Sequence, residues 1–460
     1  MTSPYFSGFD PAALAQEFPV ADAQARLGAM SVDELRAAQN ARFLNTMDFA
    51  WKVPFYQRLW GAAGAEPGDV RSLDDLAKLP TYDKSDLMAS VEAYPPIGDF
   101  HGAEAYAPGE APPVILQTTS GTTGKPQPLI YGPKSREVQN MLLARLYALQ
   151  GLTRDDIVHS VYGFGMVNGG HYVRETLVHW VGAKVLSAGT GAETRSAQQV
   201  RLMADFGATA LVGFGDYIKK LAQVAREEGL EPGRDIRIKR IIGHMGAETA
   251  ETMSNAWGGG VEVYDWYGVG DTGAIAGQGP DREGMHVMED AQFLELLDVE
   301  SGAAAADGEM GDMVCTCLYK DDVFPIIRFN THDVTRFEAG ANPLGLPFKR
   351  IAGFLGRSDN MVKLRGINIY PQGIGALLSA QFEALNGEYV CRVESREGRE
   401  EMTVIAEATS RPEGLVEAME AALKTRLGVQ IGVELTAPGG TGELTQIEQR
   451  QKPIRLIDAR

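Results

Sequence analysis

A short stretch rich in glycine and hydroxyl side chains constrains this chain more than any other part of it. Residues 118–126 read Thr-Thr-Ser-Gly-Thr-Thr-Gly-Lys-Pro. Gly121 and Gly124 let the backbone adopt conformations that a Cβ atom forbids, so that successive N–H groups can turn inward around an anion. The hydroxyls add donors, and Lys125 adds a positive charge suited to phosphate. The stretch therefore predicts a phosphate-binding loop rather than an ordinary polar turn.

The spacing within this loop excludes the Walker A motif. A Walker A loop has four residues between its glycines and a Ser or Thr after its lysine. Here two residues separate Gly121 from Gly124, and Pro126 follows Lys125. The chain is therefore not predicted to be a P-loop NTPase.

The string instead resembles the phosphate-binding loop of the adenylate-forming superfamily, which includes the acyl-CoA ligases. Later segments resemble that superfamily in the same order, and several are similar to the phenylacetate–CoA ligase subgroup. The resemblance covers nearly the whole chain. It implies that the loop holds the phosphates of ATP through Thr119, Ser120, Gly121, Thr122, Thr123, Gly124 and Lys125.

Two segments resemble the superfamily's surroundings of the nucleotide base. Residues 244–248 are similar to a Gly-Ala-Glu-Pro segment that lies against adenine, with Thr249 in place of the proline. Residues 267–271 are similar to the pattern Tyr-Gly-(apolar)-Ser/Thr-Glu, but Gly270 replaces the hydroxyl residue. The resemblance implies a set of nucleotide contacts: Gly246, Ala247, Glu248, Asp265, Trp266, Tyr267 and Gly268.

The same resemblance implies roles for two carboxylates, Asp271 and Asp333, in binding Mg²⁺ and the ribose. Asp271 stands where relatives have the glutamate that holds Mg²⁺, and it keeps a hard oxygen ligand on a shorter arm. Asp333 aligns with the carboxylate that grips the ribose hydroxyls in an Arg-Tyr-Arg-Thr-Gly-Asp motif. Asn330 and His332 stand where that motif has Arg and Gly.

The segment 356–371 strongly resembles the hinge motif of the superfamily. Arg357 matches an arginine that contacts the adenylate, and Asp359 matches the hinge residue. Near the end of the chain, Lys452 falls on the catalytic lysine. The loop after the hinge would face the thiol of coenzyme A through Arg365, Gly366 and Asn368.

The stretch 162–170 interleaves glycines with aromatic and apolar residues, which suits a wall that lets a flat ligand approach the backbone. A core strand with a glycine turn is the alternative. The subgroup has a similar segment along its acyl pocket, and the residues expected there are Tyr162, Phe164, Gly165, Gly169, Tyr217, His244 and Trp266. A second polar group on the acid could meet His171, Arg174 or His244.

Composition excludes several other classes. The 460 residues carry a net charge of −18 and no run of Lys or Arg, so nucleic-acid binding is not expected. The first residues do not form a signal peptide, and no stretch approaches the roughly 20 apolar residues that span a bilayer. Three cysteines, an odd number, favour a reducing cytoplasm. Cys315, Cys317 and His286 could form a zinc site, but buried structural cysteines are the favoured interpretation.

Strand-like and helix-like segments alternate from Val158 to about residue 242, which predicts an α/β fold with mostly parallel sheets flanked by helices. The resemblance adds a distorted β-barrel and a small α+β C-terminal domain on a hinge. The expected boundaries are a large domain over 1–358, with the nucleotide and acyl sites, and a mobile domain over 359–460, with Lys452.

The resemblance implies an AMP-forming carboxylate–CoA ligase that uses ATP, Mg²⁺ and coenzyme A on a small carboxylic acid, preferably an aryl or arylacetic acid. A homodimer is expected from the subgroup alone. Two alternatives stay open at this point: an adenylating amide or ester synthetase that does not use CoA, and a non-catalytic nucleotide-binding relative. The substitutions at Gly270, Asn330 and His332 motivate the second alternative.

Overall fold

The computed structural model describes residues 3–119, 125–246, 248–396, 399–446 and 453–460. The helices are α1 Pro11–Glu17, α2 Ala23–Gly28, α3 Val32–Ala50, α4 Pro54–Ala62, α5 Lys84–Ala93, α6 Pro133–Leu149, α7 Asn168–Thr176, α8 Ser196–Phe206, α9 Gly215–Glu227, α10 Ala250–Ala256, α11 Pro371–Ser379, α12 Leu415–Leu427 and α13 Gly442–Thr445. Short 3₁₀ turns cover Leu73–Lys78, Ala103–Ala105 and Ser358–Asn360, and a π-helical turn, Leu177–Val181, extends α7.

The strands are β1 Ile115–Thr118, β2 Pro128–Tyr131, β3 Ile157–Ser160, β4 Lys184–Ser187, β5 Ala210–Phe214, β6 Arg240–His244, β7 Glu262–Val269, β8 Gly273–Gln278, β9 Met285–Val287, β10 Gln292–Leu297, β11 Gly311–Cys317, β12 Phe329–Thr335, β13 Arg350–Ile351, β14 Gly356–Arg357, β15 Val362–Leu364, β16 Ile367–Ile369, β17 Leu385–Arg396, β18 Arg399–Ala408, β19 Gly432–Thr436 and β20 Leu456–Asp458. The predicted α/β class is confirmed.

An eight-stranded sheet organises the N-terminal part of the chain, which we define as the residues up to 358. Its order is β13-β9-β8-β7-β6-β5-β3-β4. The five strands β4, β3, β5, β6 and β7 run parallel, whereas β8, β9 and β13 continue the sheet antiparallel. The carboxyl ends of the parallel strands meet at one edge, where ligands bind in open α/β sheets.

Helices cover this sheet because packing against it removes their apolar faces from water. Almost every residue of α6 is buried, and α6 packs on β8 and α7. A second buried cluster lies between β5, β6 and the helices α8, α9 and α10, with Trp257 at its centre. Helix α3 starts at a capping box, in which the side chains of Ser31 and Glu34 accept hydrogen bonds from each other's backbone N–H groups.

Smaller sheets complete the architecture. The four-stranded sheet β10-β11-β12-β14 is antiparallel. In the C-terminal part, from residue 359 on, β17 and β18 pair antiparallel, and β20 and β19 flank them in parallel. This sheet, the hairpin β15–β16 and the helices α11 and α12 share a hydrophobic core of their own. Within the part of the chain that the structure describes, no helix is long and apolar enough to cross a membrane.

Parallel strands β5 and β6 approach unusually closely where Gly213 faces Gly243. A Cβ atom at Gly243 would overlap the carbonyl oxygen of Gly213, which is backbone and cannot rotate away. The pair therefore needs glycine at this position, one residue before His244 at the carboxyl edge of the sheet.

We expect Gly243→Ala to lower the free energy of unfolding by about 1–3 kcal/mol or more, because the added methyl forces the two strands apart. Gly61→Ala is the matched control: nothing lies within 4 Å of a Cβ there, inside helix α4. The control should be neutral or slightly stabilising, since alanine favours helix. The measurement is the chemical denaturation midpoint of both variants. Equal stability of the two would contradict the requirement for glycine at position 243.

Candidate active site

The predicted phosphate loop is carried by the antiparallel hairpin β1–β2. Thr119 and Gln127 close its base: the Thr119 N–H donates to the Gln127 carbonyl at 3.0 Å, and the Gln127 N–H donates to Thr119 Oγ1 at 3.1 Å. Lys125 is exposed. The other predicted phosphate-binding residues lie outside the described residues: Ser120, Gly121, Thr122, Thr123 and Gly124.

The base of this loop contacts Asp271, the candidate Mg²⁺ ligand. Gln127 Nε2 donates to Asp271 Oδ1 at 2.7 Å, and Lys320 Nζ donates to the Asp271 backbone carbonyl at 3.0 Å. Burial raises the pKa of Asp271, against the opposing effect of Lys320. A buried carboxylate that accepts a hydrogen bond from a neutral amide is stabilised by a cation, and its oxygens are hard ligands, so the site fits Mg²⁺.

Packing against Leu129 explains why position 270 is a glycine. A Cβ atom at Gly270 would lie 2.8 Å from Leu129 Cδ1, and the Tyr131 hydroxyl donates to the Gly270 carbonyl at 2.7 Å. Leu129 thus fills the space in which the superfamily's hydroxyl side chain would begin. The departure from the motif is a change of packing beside the phosphate loop, and the carboxylate of Asp271 stays next to that loop.

Arg357 joins the candidate ribose carboxylate to the candidate hinge residue. Its Nη1 donates to Asp333 Oδ1 at 2.7 Å, while Nε and Nη2 donate to the two oxygens of Asp359 at 2.8 and 2.6 Å. Burial lowers the pKa of Arg357, but Asp359 and Asp333 outweigh it and raise that pKa overall. Tyr267 donates its hydroxyl to the other oxygen of Asp333 at 2.7 Å. The structure therefore brings together Tyr267, Asp333, Arg357 and Asp359.

His332 occupies a left-handed backbone conformation, with φ of 57°, which explains why glycine suits this position in the superfamily motif. Its Nε2 lies 2.8 Å from Asp83 Oδ2 and its Nδ1 lies 3.4 Å from Asp312 Oδ2. Hydrogen bonds to Asp312 and Asp83 raise the pKa of His332 to about 10, despite partial burial. Asn330 Nδ2 donates to the same Asp312 oxygen at 3.1 Å. The imidazolium thus holds α5, β11 and β12 together near the candidate hinge residue Asp359.

The candidate adenine segment is anchored by an ion pair. Lys219 Nζ donates to both oxygens of Glu248, at 2.8 and 3.0 Å, so the Glu248 carboxylate is already engaged. Gly246 is exposed with φ of 62°, and Ala247 lies outside the described residues. Burial raises the pKa of Asp265 to about 7. These residues lie at the carboxyl ends of β6 and along β7.

Aromatic side chains gather at the carboxyl edge of the parallel strands. Tyr162 follows β3, Phe214 ends β5 and His244 ends β6, and their ring centroids lie 5.3 to 5.9 Å apart. The Trp266 ring lies 4.4 Å from that of His244 at 40°. Trp266 and Tyr267 are consecutive in β7 and point to opposite faces, so this strand links these rings to Asp333, the candidate ribose carboxylate. We call Tyr162, Phe214, His244 and Trp266 the aromatic cluster.

Other residues predicted for the acyl pocket have different partners. The Phe164 ring packs against His171, whose Nε2 lies 2.9 Å from the carbonyl oxygen of Gly165. Gly169 lies beside Tyr162, since a Cβ there would be 3.5 Å from its ring. Tyr217 lies on α9, and its hydroxyl contacts Ser196 on α8 at 2.9 Å.

The candidate CoA-facing loop is the tight turn of the hairpin β15–β16. Arg365 and Gly366 both have positive φ, at 52° and 84°, as the favoured two-residue hairpin turn requires. Beside it, Lys363 Nζ donates to Glu300 Oε1 at 2.6 Å and Asn368 Nδ2 lies 3.5 Å from the same oxygen. The candidate catalytic lysine, Lys452, lies outside the described residues.

The zinc alternative is not supported. His286 lies on β9, and its two ring nitrogens contact Asp281 and Asn342 at 2.9 and 3.0 Å. Cys315 lies on β11 in another sheet, where it donates to Gln292 and where burial raises its thiol pKa. The described residues contain no group of three or more His, Cys, Asp or Glu side chains that could hold a metal ion.

Gln127, Phe214 and Asp83 belong to the site but were not predicted from the sequence. Phe214 could have been found, because it ends a predicted parallel strand at the same edge as His244. Gln127 and Asp83 gave no local signal, since each acts through a partner that is distant in the chain.

Known proteins are similar to this chain in sequence and in fold. Residues 366–460 match the family described as AMP-binding enzyme C-terminal domain. The chain is 32% identical over 357 residues to the phenylacetate-coenzyme A ligase of Pseudomonas putida, covering 75% of each chain. The structure of 2-hydroxyisobutyryl-CoA ligase in the postadenylation state with R3-HIB-AMP has a TM-score of 0.81 at 27% identity, covering 96% of this chain and 94% of that chain. With 2-HIB-AMP and CoA in the thioesterification state, that ligase has a TM-score of 0.66 at 28% identity and the same coverage.

The fold and the site define an adenylate-forming enzyme. Its identity to the Pseudomonas putida ligase over 75% of the chain shows that it belongs to the phenylacetate–CoA ligase family. It is an AMP-forming acid–CoA ligase, and its cofactors are ATP, Mg²⁺ and coenzyme A.

The clamp around His332 predicts a pH-dependent contribution to stability. A histidine pKa of about 10 in the folded protein means that the contribution is fully present below the ordinary value of roughly 6.5 and is lost as the pH rises through 10. His332→Asn tolerates the left-handed backbone but removes the charge, and should cost about 1–2 kcal/mol below pH ~6.5, discounted for partial exposure. The difference from wild type should shrink steadily above that pH.

The measurement is denaturant unfolding of both proteins between pH 5 and 10.5. His101→Asn changes a half-buried histidine outside this clamp and should leave the pH profile unchanged. A His332→Asn deficit that is constant with pH would refute the charged clamp.

Proposed function

We propose that the acid activated by this ligase is an aryl or arylacetic acid. The supporting observation is the aromatic cluster, which offers flat faces at the carboxyl edge of the parallel sheet, next to the nucleotide residues along β7. The Pseudomonas putida relative is a phenylacetate-coenzyme A ligase, which agrees with this substrate class. Flat rings gain most from such a site, because offset and edge-to-face ring contacts add to apolar burial.

Two buried donors in the cluster favour an acid that brings an oxygen acceptor to them. Tyr162 Oη and Trp266 Nε1 are buried beside each other, and neither has a hydrogen-bond partner among the other described residues. A buried donor without a partner costs free energy, which a carboxylate or ring oxygen of the acid would recover. Long alkyl chains offer no such acceptor along their length.

In the adenylation step, the carboxylate attacks the α-phosphorus of ATP and pyrophosphate leaves. The two reacting groups repel each other, so the site must supply positive charge and alignment. In our proposal Lys452 bridges the carboxylate and the α-phosphate, Arg357 contacts the adenylate and Asp333 holds the ribose. Residues 119–125 cradle the outer phosphates, and Asp271 would hold Mg²⁺, which neutralises phosphate charge when bound.

In the second step the CoA thiol attacks the acyl-adenylate carbonyl and AMP leaves. Arg365, Gly366 and Asn368 are proposed to face the thiol, and the chain beyond Asp359 is proposed to be a separate, mobile domain over 359–460, with the large domain over 1–358. Thioester formation separates this function from that of an amide or ester synthetase. A homodimer and a cytoplasmic location stay predictions, which rest on the resemblance and on the cysteine content.

The test is acid-dependent pyrophosphate–ATP exchange, followed by CoA-thioester formation, over aromatic, dicarboxylic and fatty acids. We expect an aromatic acid to give the highest kcat/KM, by at least about tenfold over a long-chain fatty acid. A fatty acid as the best substrate would refute the aromatic assignment, and exchange without thioester would favour the synthetase.

The variant Lys452→Ala tests whether this lysine acts in the adenylation step. It should slow exchange by about 10²–10³-fold, the range for losing one preorganised electrostatic group, while thioester formation from supplied acyl-adenylate survives. Equal loss in both half-reactions would remove Lys452 from this role.

A further inference from the structure

Charged side chains from both proposed domains meet at one contact. The large domain contributes Asp216 and Lys219, three residues apart on one face of α9, and Glu248, which follows β6. The small domain contributes the turn 386–388 and Arg455, which precedes β20. We call this set the interdomain charge cluster.

Lys219 reaches across the contact. Besides its two bonds to Glu248, Lys219 Nζ donates to the backbone carbonyl of Asn386 at 2.8 Å. The next residue, Gly387, has φ of 93°, and a Cβ atom there would lie 3.1 Å from Glu248 Oε1. The turn of the small domain is therefore seated directly on the Lys219–Glu248 pair.

Arg455 reaches across in the opposite direction. Its Nη1 donates to Glu388 Oε2 at 2.9 Å and to the Tyr389 carbonyl at 2.7 Å, both within the small domain. Its Nη2 lies 3.7 Å from Asp216 Oδ2 in the large domain. The Arg455 side chain is only 10% exposed, so this pair is shielded from solvent more than an ordinary surface ion pair.

The pairing lets the two domains separate while each of the two cations keeps an anionic partner. If the small domain moves away, Lys219 keeps Glu248 and Arg455 keeps Glu388. Breaking a buried ion pair is costly mainly when one partner is left alone, and neither cation is left alone here. Such a contact can add affinity for one orientation and still be opened in every catalytic cycle.

We propose that Lys219 and Arg455 are positioning residues that dock the small domain in the orientation used for adenylation. Arg455 lies three residues after Lys452, so docking at Arg455 fixes the segment that carries the proposed catalytic lysine. The chain superposes better on the postadenylation structure of 2-hydroxyisobutyryl-CoA ligase than on its thioesterification structure, with TM-scores of 0.81 and 0.66. The proposal rests on the proposed role of Lys452 in adenylation.

A double-mutant cycle between Asp216→Asn and Arg455→Gln tests the docking contact in the full-length enzyme. Each single variant should slow acid-dependent pyrophosphate exchange by roughly two- to tenfold, and the double variant should be no slower than the worse single, because the pair is already broken. Thioester formation from supplied acyl-adenylate and CoA should stay at the wild-type rate. Arg455→Lys should restore most of the exchange.

Two results would overturn the proposal: independent, multiplying effects in exchange, or equal losses in both half-reactions. Lys219→Gln probes the contact from the large domain, so the test survives if Arg455→Gln fails to fold. It should slow exchange alone, and Lys219→Arg should restore it. Equal loss of both half-reactions in Lys219→Gln would count against docking.

A distance measurement tests the docking without knowledge of the acid substrate. The three native cysteines are buried, so spin labels can be placed on Asp205→Cys in α8 and Glu417→Cys in α12. With AMP bound, the labelled enzyme should show one dominant distance population, whose share shrinks in Asp216→Asn and Arg455→Gln. Identical distributions in all three would overturn the docking role. Absence of exchange with every acid would instead refute the proposed function alone.

Discussion

The guanidinium of Arg357 links the proposed ribose carboxylate, Asp333, to the proposed hinge residue, Asp359. It binds Asp333 with one nitrogen and Asp359 with two others, at 2.6 to 2.8 Å. A planar, permanently charged group is needed for such a three-nitrogen bridge, and lysine could not replace it. Because the same cation binds the proposed ribose carboxylate and the proposed pivot, occupation of the nucleotide site and the setting of the hinge are physically connected.

The rest of the arrangement follows from where strands end. The carboxyl ends of β3, β5 and β6 place the aromatic cluster at one edge, and β7 points Trp266 toward that cluster and Tyr267 toward Asp333. Gln127 ties the base of the phosphate loop to Asp271. The proposed acid site and the proposed nucleotide site are therefore adjacent because one strand serves both.

Much of this could be predicted from local sequence, and the failures have a common cause. The strand–helix alternation and the capping box depend on residues close in the chain, and the structure has both. The partner of His332, by contrast, is Asp83, 249 residues away, and sequence spacing carries no information about such a contact. In the sequence, His332 departs from the glycine of the superfamily motif. In the structure, it forms a charged clamp near the candidate hinge residue Asp359. Gly270 stands where the superfamily has a hydroxyl residue, and Leu129 fills the space that such a side chain would occupy.

We propose that the chain uses two orientations of its small domain, which turns about Asp359. Proline fixes φ near −65°, so Asp359→Pro should hold one orientation, whereas Asp359→Ala removes the same carboxylate and leaves the backbone free. The direct measurement is the rate of both half-reactions for these two variants on folded protein. The account predicts that Asp359→Pro keeps pyrophosphate exchange near the rate of Asp359→Ala and loses thioester formation from supplied acyl-adenylate. Equal rates for the two variants in both half-reactions would contradict it.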